Sequence, residues 1–150
     1  MRTVVQRVSK ASVSIQHGEK REIGPGLLVF LGIEESDEQG DADWLCSRIA
    51  RLRIFSDAGG LMNCSLEETG GEVMLISQFT LHASTRKGNR PSFIRAARPE
   101  TAIPLYEYFI SRLSELCSKP IVTGDFGAHM EVELINDGPV TLVIDSKVKE

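Results

Sequence analysis

Cysteine is scarce in this 150-residue chain, and its three copies, Cys46, Cys64 and Cys117, are far apart and form no C-x-x-C pair. That spacing indicates neither a disulfide framework nor a thiolate zinc site. Histidine is equally scarce, with His17, His82 and His129 scattered along the chain. No H-E-x-x-H, P-loop or G-x-G-x-x-G is present, and no Asp/Glu/His cluster has ligand spacing, so neither a metal nor a nucleotide cofactor is expected. Long apolar runs are missing too. The longest, Leu27-Leu28-Val29-Phe30-Leu31, falls far short of the roughly 18 residues of a membrane span. The opening Met1-Arg2-Thr3-Val4-Val5-Gln6-Arg7 is no signal peptide, so a cytoplasmic protein with no membrane partner is expected.

What is present fits one globular domain over residues 1–150. Its 41% hydrophobic and 25% charged content can bury about two-thirds of the unfolded surface. The net charge of −4 argues against a nonspecific nucleic-acid binder, yet the charge is uneven. Arg86, Lys87, Arg90, Arg95 and Arg98 fall in one stretch that holds no acidic residue. A local cationic segment on an acidic body can hold a polyanion at one place, and it can equally be a solvated loop.

Period-two alternation predicts two opening strands, Val4–Val8 and Ala11–Ile15, joined by Ser9-Lys10. After the Gly24-Pro25-Gly26 turn, Leu27 to Ile33 reads as a strand buried on both faces. Ser36-Asp37-Glu38-Gln39 has the form of a capping box, and Ala42, Leu45, Ile49 and Leu52 predict an amphipathic helix ending near Arg53. Glu72 to Leu81 reads as a strand, followed by a basic loop punctuated by Gly88 and Pro91. A second helix is expected from about Thr101, with Pro104 in its first turn and Leu105, Phe109, Leu113 and Leu116 facing the core. Met130–Ile135 and Val140–Ile144 read as strands joined at Asn136-Asp137-Gly138-Pro139, where Asp-Gly signals a hairpin and the proline is awkward for a ladder. Local sequence favours a trans Gly-Pro bond. The order of elements implies a mixed α/β fold with two main helices.

Chemistry concentrates at Ser77-Gln78-Phe79-Thr80, two hydroxyls and an amide where an apolar strand meets the basic loop. Such strand ends are common places for sites. A Thr80 nucleophile needs a base, for which His82 is the local candidate, but no G-x-S-x-G elbow supports a triad. Glu131 and Glu133 share a strand face and read as solvated.

Ser77-Gln78-Phe79-Thr80-Leu81 and Asn136-Asp137-Gly138-Pro139-Val140-Thr141 together resemble the S-Q-F-T-L and N-x-G-P-V-T motifs of the D-aminoacyl-tRNA deacylases. The resemblance extends to Val5–Val8, Gly24–Leu27, Thr85–Phe93 and Phe126-Gly127-Ala128-x-Met130. His82 stands where that family suggests a tyrosine or similar residue, and Ile94–Arg98 is more basic than its pattern. The resemblance implies a barrel-like, layered α/β/β arrangement and a cofactor-free homodimer that hydrolyses the ester of D-aminoacyl-tRNA, and of glycine mischarged on the alanine tRNA. It also implies a cis Gly138-Pro139 bond lent to the partner's site, where main-chain carbonyls reject L-amino acids, with Arg7 bracing that turn. Ser77, Gln78, Phe79 and Thr80 would position the ester, Phe126 and Met130 would line the terminal adenosine pocket, and Arg86, Lys87 and Arg90 would hold the tRNA. Two alternatives stay open: a noncatalytic RNA-binding module, and an esterase using Thr80 and His82.

Overall fold

The computed structural model describes residues 1–16 and 18–149; His17 lies outside them. Its organising element is β1 (Arg2–Ile15), a single 14-residue strand, and not the two-strand hairpin that the alternation predicts. Ser9 and Lys10 are exposed, but the chain kinks there without reversing. One edge of β1 pairs antiparallel with β3 (Gly26–Gly32) along Arg2–Val8 and with β2 (Lys20–Ile23) along Ala11–Ser14. Beyond β3 lie β6 (Glu72–Ser77) and then β7 (Val122–Thr123), both parallel to their neighbours.

The opposite edge of β1 is covered from end to end by β8 (Met130–Asp145). The expected hairpin at Asp137-Gly138 is therefore absent, because both of its flanks pair with β1 and not with each other. Thr141 faces Gln6 and Asn136 faces Val8, so Asp137–Val140 leaves the ladder opposite Arg7 and returns to the same partner. The bulge of β1 at Ser9 and the excursion of β8 are adjacent but separate register shifts, the first between Val8 and Lys10 and the second between Gln6 and Val8. Gly138 sits at φ +137°, where a Cβ would lie 2.8 Å from Val140 Cγ2, and the Gly138–Pro139 peptide is cis.

The sheet curls into a nearly closed barrel with two apolar faces. Inside it pack Val8, Val13, Ile15, Leu28, Met74 and Ile76. Outside, Val5, Leu27, Val29, Leu31, Val73 and Leu75 meet α1 (Gln39–Arg51) and α3 (Pro99–Cys117). As the sequence predicts, β3 is thus buried on both faces. These are the two main helices; a single turn, α2 (Leu66–Thr69), and a short pair, β4 (Phe55–Ser56) with β5 (Met62–Cys64), fill the link between α1 and β6.

Three boundaries differ from expectation. The cap of α1 is Glu38 with Asp41, because Asp37 is drawn inward to accept from the Met1 amine (2.5 Å) and the Glu34 N–H (2.7 Å). Helix α3 starts two residues early with Pro99 at its N-terminus, leaving Pro104 inside, and its fully buried stripe is Ala102, Tyr106, Phe109 and Leu113. Strand β6 stops at Ser77 instead of reaching Leu81. The Gln78 N–H makes the last bond to β3, to Leu31 O at 2.8 Å, and Phe79–His82 then wind into one 3₁₀ turn. Gly32 permits this, since a Cβ there would lie 2.9 Å from Leu81 Cβ and 3.0 Å from Gln78 O.

Candidate active site

The place where β6 ends is also where the barrel opens. A cavity of about 300 Å³ lies between the Ser77-Gln78-Phe79 segment and the Phe126–Met130 connection entering β8. Leu31, Ile33, Ala97 and Ala102 supply its apolar floor. Two segments almost fifty residues apart are thus brought face to face because β6 and β7 are neighbours in the sheet.

The first wall is built of main-chain groups as much as side chains. At the start of a 3₁₀ turn the leading N–H groups have no partner within the turn. Accordingly the N–H groups of Phe79 and Thr80 donate to no backbone or side-chain acceptor among the described residues. The Thr80 hydroxyl accepts from the Gln78 side-chain amide, and Thr80 stands beside the cavity without lining it. The Phe79 ring is largely exposed and meets Phe93 edge-on at 5.1 Å.

The second wall is braced from behind. Arg21 donates to Thr123 O (2.7 Å) and Asp125 Oδ1 (3.1 Å), fixing the loop that carries Phe126. The Tyr106 ring lies 5.7 Å from that of Phe126, and its hydroxyl donates to Leu75 O. Burial pushes the Tyr106 phenol up to about 12, so it stays protonated and serves as wall. Among the described residues that line the cavity only His129 is ionisable, and none is a carboxylate.

The histidine expected to activate Thr80 does not reach it. His82 is buried, with Nδ1 3.0 Å from Glu34 Oε1, and the turn aims it away from the cavity. A Thr80–His82 pair is therefore not assembled, a correction to the esterase alternative. In the sequence the only signal for Glu34 is an acid at the end of a wholly apolar strand.

Arg86, Lys87 and Arg90 are exposed on a loop pinched by the Ser84–Ser92 bridge, and none joins an ion pair among the described residues. Phe93, where that loop returns, rests on Phe79, so the cationic loop borders the cavity mouth.

Gly138, Pro139 and Arg7 lie elsewhere on the chain, outside its own cavity. Gly138 and Pro139 are exposed. Beneath them Arg7 is nearly buried, donating from Nε to Asp137 O (2.9 Å) and from Nη1 to Ile54 O (2.5 Å). Asn136 closes the base of the turn, accepting from Val140 N–H at 2.8 Å and donating to Thr141 Oγ1 at 2.9 Å. The turn is exposed but tied down at both ends.

Residues 4–145, which include both motif segments, match the family model described as D-Tyr-tRNA(Tyr) deacylase. This chain belongs to that deacylase family. A D-aminoacyl-tRNA deacylase of Bacteroides thetaiotaomicron is 61% identical over the full length of both chains, and one of Akkermansia muciniphila 59%. Among solved structures, a c-Myc DNA unwinding element binding protein is 38% identical, with a TM-score of 0.89 over 97% of this chain and 98% of its own. A probable eukaryotic D-amino acid tRNA deacylase shares the fold at a TM-score of 0.83 and 15% identity, over 96% and 98% of the two chains. As a deacylase-family member the chain is a hydrolase, which sets aside the noncatalytic module.

Proposed function

We propose that this enzyme removes D-amino acids, and glycine mischarged on the alanine tRNA, from tRNA by hydrolysing the ester to the terminal ribose in the cytoplasm. The observation that carries the reading is the pair of N–H groups at Phe79 and Thr80 that, among the described residues, have no partner and stand beside a cavity lined by no carboxylate. An aminoacyl ester is already activated. It needs its carbonyl oxygen stabilised as charge develops, more than it needs a strong base. Water adds to the carbonyl with the oxyanion facing the two N–H groups. The acyl C–O bond then breaks, and the ribose oxygen leaves with a proton passed from the attacking water, assisted by the neighbouring 2′-hydroxyl. Ser77 and Gln78 hold the ester, while Phe126 and Met130 receive the terminal adenosine. Arg86, Lys87 and Arg90 take the phosphates behind it.

Selection against L-esters falls to Gly138 and Pro139 of a second copy of the chain. Three features support this: the turn is exposed, it is held firmly by Arg7 and Asn136, and it has no role in its own cavity. A main-chain carbonyl at that point accepts from the substrate ammonium and leaves no room for an L side chain, whatever that side chain is. The outer edge of β8, with Ile135 and Val143 exposed, offers the surface for such a dimer.

The test is to incubate the enzyme with D- and L-tyrosyl-tRNA and to measure its mass in solution. Preferential loss of the D-ester by a dimer is expected. Equal loss of both esters, or full selectivity in a monomer, would refute the shared site.

A further inference from the structure

Among the described residues His82 is the most deeply buried ionisable side chain near the cavity, and it takes no part in the chemistry above. It is 2% exposed, and neither ring nitrogen has an aligned hydrogen-bond partner among the described residues. A buried polar ring without partners is costly, and an apolar ring of similar size would fill the same space without that cost. Packing alone therefore does not account for an imidazole here. What does face it is charge. Nδ1 stands 3.0 Å from Glu34 Oε1, and the same carboxylate holds the Arg95 guanidinium. On the β1 side, Arg2 donates to Leu81 O at 2.9 Å and is itself paired with Asp145 of β8.

Glu34 is therefore a junction. Through His82 it touches the 3₁₀ turn that carries the Phe79 and Thr80 N–H groups. Through Arg95 and the Glu34–Ala96 bridge it touches the segment returning from the basic loop. That segment continues into Ala97, which bonds to Ile33 O at 2.8 Å and lines the cavity.

We propose that His82 is a positioning residue: its ring, held against Glu34, sets the orientation of the Phe79–Thr80 turn and ties it to the returning limb of the cationic loop. The inference rests on the reading of those N–H groups as the oxyanion site. It assigns to the Glu34–His82 pair the alignment of the turn, separate from substrate affinity.

The test compares His82→Phe, His82→Asn, Glu34→Gln and the His82→Phe/Glu34→Gln double variant in steady-state hydrolysis of D-tyrosyl-tRNA. His82→Phe should melt within a few degrees of the parent, lower kcat about tenfold and leave KM within about twofold, as expected for a small misplacement of catalytic groups. Asparagine, which offers an amide near the position of Nδ1, should recover most of kcat. The double variant should be no slower than the slower single one, since both remove the same link. Parental kcat in His82→Phe, a His82→Asn variant as slow as His82→Phe, or additive losses would each overturn the proposal. Should His82→Phe fail to fold, Glu34→Gln carries the same expectation, and parental kcat in it would be equally fatal. Failure of the underlying reading shows differently, as near-complete loss of turnover in Thr80→Ala, which keeps both N–H groups.

Discussion

Replacing Arg7 by methionine tests whether the Asp137–Val140 excursion works as a rigid part. The guanidinium makes two charge-assisted bonds to carbonyls, each contributing about 1.5–3 kcal/mol. The Ile54 carbonyl lies beside a buried residue and is left without a partner, which puts its loss near the upper end. The Asp137 carbonyl belongs to an exposed residue that water can reach, which puts its loss near the lower end. The Arg7–Asp137 ion pair adds little, because the Asp137 side chain is 59% exposed. Recovered desolvation of the arginine offsets part of the sum, so a net cost of about 3 kcal/mol is expected. For a chain of this length that lowers Tm by roughly 6–12 °C.

Stability loss alone would not distinguish a brace from any buried residue. Leu113→Ala supplies the comparison: it removes a fully buried side chain of α3 at a cost of about 2–5 kcal/mol, remote from both motifs. Measured at a temperature where both variants are folded by circular dichroism, Leu113→Ala should keep parental turnover of D-tyrosyl-tRNA. Arg7→Met should lose tenfold or more, about the penalty for a displaced site element. Arg7→Lys should fall between, because an ammonium cannot span two carbonyls as a planar fork does. If Arg7→Met costs less than about 1 kcal/mol in denaturant melts, or if its turnover matches that of Leu113→Ala, the bracing argument is wrong.

Thr80→Ala should retain activity within about tenfold of the parent in single-turnover assays, because the N–H groups remain and the hydroxyl is already engaged by Gln78; near-complete loss would return Thr80 to the role of nucleophile. Gly138→Ala places a Cβ 2.8 Å from Val140 Cγ2 at a left-handed φ, and should cost about 1–3 kcal/mol in denaturant melts while slowing D-ester turnover. Neutralising Arg86, Lys87 and Arg90 together should flatten the dependence of log KM on log salt by about three phosphate equivalents, with kcat unchanged. Burial works against the charge of Asp41, but the Lys147 ammonium at 2.7 Å and the Glu38 N–H hold its pKa at about 2, below the ordinary 3.8. A lowered folded pKa stabilises above the unfolded value, so about 1 kcal/mol should vanish as pH falls from about 4 to 2, and Asp41→Asn should remove that part of the acid transition.

The elements that the sequence made legible are those whose burial follows one period from end to end. The run Leu27–Leu31 had to lie between two apolar layers, and the helical spacing of Ala42, Leu45 and Ile49 had to face the sheet; both do. Pairing partners were not legible, because alternation records which face of a strand is buried and not which strand lies beside it. Ser9-Lys10 and Asp137-Gly138 therefore read as two hairpins, when they mark two adjacent register shifts in the one β1–β8 ladder. For a related reason the sequence separation of His82 from Thr80 suggests a dyad, whereas the 3₁₀ turn that ends β6 sends His82 to Glu34.

Both motif segments are places where a strand leaves its ladder. Phe79 and Thr80 follow the last bond of β6 to β3, and Gly138 and Pro139 lie in the excursion of β8 from β1. Leaving a ladder frees main-chain N–H and C=O groups, and every residue type carries them. Paired carboxylates, metal ligands and a Ser-His-Asp set do not line this cavity among the described residues. What the sequence can carry is the set of residues that make the departures possible: Gly32 against the turn, Gly138 at its positive φ, and Arg7 opposite the gap. For a site of the proposed kind, the residues that shape the backbone are the readable trace of the chemistry.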